Sequence, residues 1–162
     1  MPTESQGSYG VLFIGSGADE HTSLRRIFDA SPCKFQSSFT AREGLDVLRR
    51  NRGGTFSVVI CEQNLPDGDW KYVLAELDKM PCRASLIVSS RLADERLWAE
   101  VLNLGAFDLV LGDPFEPKEV LHVTESAWRA SKANHEVETL SRMDKALSET
   151  EGSRWQTARS AA

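Results

Sequence analysis

The sequence has few cysteines, no surplus of basic residues and no long apolar run, and each absence excludes a class of protein. Three cysteines, Cys33, Cys61 and Cys82, stand far apart without a CxxC pair, so neither a zinc site nor a disulfide framework is predicted. The formal net charge of -5 argues against a broad nucleic-acid surface. No apolar run reaches the roughly 20 residues of a membrane span, and residues 1–10 lack a signal-peptide core. We therefore expect a cytoplasmic protein with reduced thiols that binds neither nucleic acid nor membrane.

The sequence does contain a regular alternation of short strand patterns and helix-period segments. Strands are predicted at residues 11–14, 34–40, 56–61, 86–88 and 109–111, and a segment with helical spacing follows each. Most of these strands are apolar throughout, which is typical of a parallel sheet covered on both faces. The predicted fold is an α/β, doubly wound, five-stranded parallel sheet of the flavodoxin-like (βα)5 type. In such folds the functional site lies beyond the carboxyl ends of the strands.

The pattern changes after residue 133, so we divide the chain there. Residues 9–133 are predicted to form the domain, residues 134–150 to extend its last helix, and residues 151–162 to form a disordered tail rich in Ser, Arg and Ala. The extension carries sparse apolar residues at Val137, Leu140 and Leu147 that could pair with a partner helix. Asp144 interrupts this seam, which argues against a regular coiled coil.

Two stretches of the sequence resemble the receiver domains of two-component response regulators. Residues 58–68, with the sequence VVICEQNLPDG, resemble the third strand of that family and the loop that follows it. Residues 104–108 and 114–120 resemble its Gly-Ala-x-Asp segment and its Lys-Pro-Phe ending. The similarity spans residues 9–133 with the order of elements intact. It implies the receiver fold, in which an Asp is phosphorylated with the help of Mg²⁺, a hydroxyl group and a Lys.

Position by position, the resemblance implies a pocket that has lost this chemistry. The family's acidic pair falls on Gly15 and Ser16, and its phosphoacceptor falls on Glu62. The hydroxyl position falls on Ser89 and is retained in type. Without the acidic pair, Mg²⁺ lacks the carboxylate ligands that it normally takes in proteins.

The loop before the last helix departs from the family as well. Counting back from Pro114, the Lys position falls on Asp113, or on Gly112 because the loop has one extra residue; neither is basic. The aromatic switch position falls on Val110 or Leu109. The resemblance also implies a cis bond between Asp113 and Pro114. We therefore predict a pseudo-receiver without catalytic residues, metal or cofactor, whose pocket holds negative charge that no metal or ammonium balances.

Several roles for Glu62 remain open at this stage. It could mimic a phosphorylated Asp, be tolerated in an inactive pocket, or pair with Arg91 at the end of the fourth strand. A competing hypothesis is a receiver that still accepts a phosphoryl group at Glu62 with Mg²⁺.

Another class of function is suggested by the turn after the first strand. Gly15-Ser16-Gly17 is compatible with a small-molecule or nucleotide-binding α/β domain, but Glu20 stands where a dinucleotide fingerprint needs its third Gly. A tight turn explains the glycines better.

Asp19 and Glu20 are either displaced metal ligands or, as we prefer, acids at the start of a helix. Ser89 and Ser90 lack a His/Asp pattern for hydrolysis. The histidines have no metal-ligand spacing and are expected to be solvated or partly buried: His21, His122 and His135.

A partner surface is predicted on the face formed by the fourth helix, fifth strand and fifth helix. The candidate residues are Trp98, Val110 and Trp128, with burial of either Trp ring in the core as the alternative. The expected partners are a histidine kinase or another regulator, or a second copy of the chain in a homodimer.

Overall fold

The computed structural model describes residues 9–51, 55–81, 84–92, 94–112 and 114–160, with side chains described as far as residue 150. In chain order the elements are β1 (Gly10–Ile14), α1 (Ala18–Asp29), β2 (Lys34–Ser38), α2 (Ala41–Arg50), β3 (Phe56–Glu62), β4 (Asn64–Leu65), β5 (Gly68–Asp69), α3 (Trp70–Asp78), β6 (Ser85–Ser90), α4 (Glu95–Asn103), β7 (Asp108–Leu111) and α5 (Pro117–Ser160).

Five parallel strands form one sheet in the order β2-β1-β3-β6-β7. The predicted doubly wound α/β fold is therefore confirmed. Its order reverses at β1 and β3, so the switch point lies between these strands. The carboxyl ends of β1, β3 and β6 meet at one edge, where Glu62 is in register with Ser89.

Alternate residues of the inner strands are buried on opposite faces of the sheet. Leu12, Val59 and Val88 belong to one apolar core, together with residues of α2, α3 and α4. Val11 and Ile60 belong to the other, together with residues of α1 and of the first turns of α5. Burial on both faces explains why these strands are apolar throughout.

The turn predicted at residues 65–69 is a small antiparallel pair, β4 with β5. At its tip, Asp67 accepts hydrogen bonds from the backbone N–H groups of Ala41 (2.8 Å) and Arg42 (3.0 Å). The Asp67 carboxylate thus satisfies donors at the start of α2 that have no partner inside the helix. Hydrogen bonds from Arg42 and Ala41 hold the pKa of Asp67 below its usual value.

The last helix differs from the prediction, because α5 continues to Ser160 instead of giving way to a disordered tail after residue 150. Gly152 destabilises a helix by about 1 kcal/mol relative to Ala, which is too little to end it. No Pro follows Gly152, so the helix can continue. One compact unit ends at Ser131, and residues 132–160 belong to a second unit. None of the helices in the described part of the chain combines the length and apolar composition that a bilayer span requires.

Cys33 and Cys61 are free thiols, and Cys61 is buried, which raises its pKa. Cys82 lies outside the described residues.

Candidate functional site

A cavity of about 390 Å³ opens at the carboxyl edge of the sheet. Three of the predicted pocket residues, Ser16, Glu62 and Ser89, line it, and Gly15 lies directly before Ser16. The alternative position Gly112 also lines it, whereas Pro114 is exposed in the following turn. Asp113, the predicted Lys position, lies outside the described residues. Other lining residues are Gly17, Glu20, Gln63, Asn64, Ser90, Arg91, Leu92 and Phe115.

The Glu62 carboxylate is bound to the turn that follows β1. Its Oε2 accepts hydrogen bonds from the backbone N–H of Ser16 (3.0 Å) and from the Ser16 hydroxyl (3.2 Å). Its Oε1 accepts one from the backbone N–H of Gly17 at 3.4 Å. Glu62 is therefore a structural anchor between β3 and the β1–α1 turn. Its extra methylene, relative to Asp, lengthens the reach of the carboxylate from the strand end.

A second carboxyl group, that of Glu20, enters the same pocket from the first turn of α1. The Glu20 side chain is only 8% exposed. Its Oε1 accepts hydrogen bonds from Arg91 Nε (2.9 Å) and Nη2 (2.8 Å). Arg91 follows β6, so this ion pair connects α1 to the β6–α4 loop. Sequence reasoning assigned Glu20 to the start of a helix and considered Glu62 as the partner of Arg91; the ion pair shown here is with Glu20.

The glycines of the turn make room for the two carboxyl groups. A Cβ atom added to Gly17 would lie 2.0 Å from Glu20 Oε2. One added to Gly15 would lie 2.8 Å from Glu62 Cδ and 2.4 Å from the Phe13 ring. Any side chain at either position would displace these groups. The glycine pattern therefore has a packing cause, which supports the tight-turn interpretation over a dinucleotide fingerprint.

The pKa values of the two carboxyl groups are shifted in opposite directions. Glu20 Oε2 is buried and lacks a donor among the described residues. The hydrogen bond to Glu62, together with burial, raises the pKa of Glu20. Burial pushes the pKa of Glu62 upward, but hydrogen bonds from Glu20, Ser16 and Gly17 outweigh it and hold that pKa below its usual value. Of the two carboxyl groups, Glu20 is therefore the one that binds a proton more readily.

This arrangement corrects the expectation of unbalanced negative charge. Arg91 places one positive charge beside this carboxyl pair, through its ion pair with Glu20. The cation of this pocket is a guanidinium group from the β6–α4 loop, a residue that the family pattern does not mark.

The Ser89 hydroxyl is buried beside Glu62 and has no hydrogen-bond partner among the described residues. Glu62 therefore does not engage it, which argues against the hypothesis that Glu62 mimics a phosphorylated Asp. The neighbouring Ser90 shapes the loop instead: its Oγ lies 2.9 Å from the Leu92 carbonyl oxygen and accepts from the Leu92 N–H at 3.2 Å. These contacts fix the backbone on both sides of Arg91.

His21 contacts the backbone of the turn between β1 and α1. Its Nε2 donates to the Gly15 carbonyl oxygen at 2.6 Å. The ring stacks on Phe39 at 4.0 Å and meets Phe13 edge to face at 4.9 Å. Sequence reasoning expected a solvated or partly buried histidine; the side chain is buried because it follows Glu20 on the inward side of α1.

The site does not fit Mg²⁺. The described residues contain no cluster of three or more His, Cys, Asp or Glu side chains suited to a metal. Both oxygens of Glu62 accept hydrogen bonds, Glu20 Oε1 is bound to Arg91, and the guanidinium charge would repel a divalent cation.

The predicted partner face is corrected at two of its three residues. Trp98 on α4 is 52% exposed, as a partner residue requires. Val110 is 2% exposed and Leu109 is also buried, because alternate residues of β7 pack on both cores. Trp128 is half-buried and stacks on Tyr9 at 4.7 Å, so the alternative of a core role holds for it.

The fold is that of response-regulator receiver domains, as solved structures show. A signal receiver domain of an HD domain-containing protein from Pseudomonas fluorescens is 19% identical with a TM-score of 0.70, covering 80% of this chain and 93% of that one. A receiver domain protein from Clostridium thermocellum is 17% identical with a TM-score of 0.69, covering 77% and 98%. A CheY-like receiver domain protein from Methanospirillum hungatei is 18% identical with a TM-score of 0.66, covering 79% and 99%. No protein-family model and no curated protein matches the sequence.

Proposed function

We propose that this chain is a receiver-like regulatory module of bacterial signal transduction that works by protein–protein interaction and takes up no phosphoryl group. The single observation that carries this proposal is the engagement of Glu62: hydrogen bonds from Ser16 and Gly17 hold the carboxylate that stands at the phosphoacceptor position. The module is not an enzyme in this proposal, and it acts in the cytoplasm.

The chemistry of phosphoryl transfer explains why this engagement matters. A carboxylate attacks phosphorus only when a cation offsets the charge of the donor and an oxygen lone pair points at the phosphorus atom. Here the lone pairs of Glu62 point at N–H and O–H donors, and Arg91 is already paired with Glu20. Phosphoryl transfer to Glu62 would first have to break these contacts.

The partner is proposed to be a histidine kinase or another regulator. The α4 face supports this proposal, because Trp98 and Leu102 lie one helical turn apart and are both exposed. Leu111, at the end of the edge strand β7, is exposed as well. Exposed large apolar side chains grouped on one helix face commonly mark an interaction site. A homodimer through the same face is the alternative occupant.

The test is exposure of the full chain to acetyl phosphate, or to beryllofluoride, with Mg²⁺. Amide NMR spectra and intact mass should stay unchanged, while a phosphorylatable receiver treated in parallel should respond. A covalent phosphoryl group, or shifts centred on Glu62 and Ser89, would refute the proposal and favour the active-receiver hypothesis. Thermal stabilisation by a nucleotide would instead favour a nucleotide-binding domain.

A further inference from the structure

The second compact unit of the chain is a helix with no described side chain buried. Every residue from 132 to 150 is exposed. At about 1.5 Å per residue this segment is roughly 28 Å long. Helices in proteins owe most of their stability to packing of an apolar face, so such a face is expected in this segment.

Four large apolar side chains of this segment lie on one side of the helix. They are between 59% and 64% exposed: Val137, Leu140, Met143 and Leu147. Their spacings of three, three and four residues place them along one stripe at about 100° per residue. We call these four residues the α5 stripe.

The charges of the segment are distributed unevenly around the α5 stripe. Glu136 and Asp144 fall within the stripe by the same helical geometry. Arg142 and Lys145 fall on the opposite side. Lys132, four residues before Glu136, falls just outside the stripe, so the charges within the stripe itself are both negative.

This distribution disfavours a second copy of the same helix as the occupant. A parallel pair in register brings Asp144 against its own copy, and an antiparallel pair centred on Leu140 brings Glu136 against Asp144. Like charges facing each other across a helical seam destabilise it. The same acids disfavour an anionic membrane surface, which attracts basic segments.

We propose that the α5 stripe binds a basic amphipathic helix of a partner protein, with apolar side chains against the stripe and Lys or Arg beside Glu136 and Asp144. Docking of an amphipathic helix along an apolar strip is a common mode of recognition. This interaction is separate from the pocket at Glu62, so it holds whether or not the chain takes up phosphate.

The experiment uses the full chain and a labelled synthetic amphipathic peptide of Leu and Lys, with a Leu and Glu peptide of the same pattern for comparison. Fluorescence anisotropy should show binding of the basic peptide at least about tenfold tighter than of the acidic one. Leu140→Ser should weaken binding by about tenfold or more, since burying one Leu is worth about one such factor. Circular dichroism checks that the variant keeps its helix.

Two charge reversals, one within the α5 stripe and one on the opposite side of the helix, test the role of the acidic residues. Asp144→Lys, within the stripe, should weaken binding of the basic peptide several-fold, whereas Glu149→Lys, on the opposite side, should have a smaller effect. Equal effects of the two reversals would overturn the proposal, as would equal binding of both peptides. Self-association in sedimentation that Leu140→Ser abolishes, or binding to anionic phospholipid vesicles that it abolishes, would also overturn it in favour of those occupants.

Discussion

Replacing Glu20 with Gln removes the carboxyl group of the pocket whose pKa is raised. The side-chain carbonyl of Gln can accept from Arg91 as Glu20 Oε1 does, and its NH₂ group is a permanent donor that can reach toward Glu62. The Glu20→Gln variant therefore resembles the state in which Glu20 is protonated, and it has no carboxyl proton to lose.

The sign of the pH effect follows from the raised pKa of Glu20. A carboxyl group with a raised pKa binds its proton more tightly in the folded state, so its contribution is complete below the unfolded value of about 4.3. That contribution is lost as the pH rises through the folded pKa. Glu62 acts in the opposite sense, because its lowered pKa makes its contribution disappear as the pH falls below the unfolded value.

The magnitude follows from the hydrogen bond that we expect protonated Glu20 to donate to Glu62. A hydrogen bond to a charged group is worth about 1.5–3 kcal/mol. Glu62 is half-buried, so solvent screening reduces this to about 1–2 kcal/mol. At pH 8 the free energy of unfolding of Glu20→Gln should exceed that of the unmodified chain by this amount, or about 2–8 °C in Tm. Near pH 4.5 the two proteins should be equally stable.

Urea unfolding followed by circular dichroism at several pH values between 4.5 and 9 measures this difference. Glu138→Gln makes the same substitution at an exposed residue that does not line the pocket, and it is the matched control. Parallel curves for Glu20→Gln and the unmodified chain would show that no proton is held between Glu20 and Glu62.

Three further perturbations test other contacts of the site and fold. Arg91→Met should cost about 1–2 kcal/mol in urea unfolding at pH 7, because buried Glu20 loses two donors, and Arg91→Lys should recover part of this loss. His21→Phe keeps the ring packing but leaves the Gly15 carbonyl without its donor, which should lower stability by about 1–3 kcal/mol; an unchanged Tm would contradict that role. Asp67→Asn should cost up to about 1 kcal/mol at pH 7, less near pH 3, because the lowered pKa makes the carboxylate contribution disappear as acid protonates it; a constant difference would exclude the capping charge.

The fold was predictable because strands that are buried on both faces are apolar at nearly every position. Strands such as β1 and β3 are apolar at every inward position of either face, so their existence and parallel pairing follow from the residues themselves. The pocket positions of Ser16, Glu62 and Ser89 were also predictable, since each follows or ends such a strand.

The role of Glu20 was not predictable from the sequence. An acid in the first turn of a helix has a sufficient local explanation in the helix dipole, and nothing in the spacing shows that its long side chain turns back into the pocket. The sequence shows Arg91 as a basic residue near the site. Its partner, however, depends on the direction in which the Glu20 side chain points. The one sequence signal available was the second glycine of the turn, Gly17, whose missing side chain provides the space for Glu20 Oε2.

The entry of Glu20 into the pocket has a consequence for how altered receivers can be recognised. A comparison keyed to strand ends finds glycine and serine after β1 and counts the acids as lost, although a carboxyl group still arrives there from a helix. The functional groups present in such a cavity depend on where the ends of the side chains lie. A long side chain from the neighbouring helix can place a carboxyl group where the strand-end residue has none, so equivalent backbone positions are a poor guide. Proteins with the receiver fold are thus better compared by the atoms that line this cavity than by strand-end positions alone.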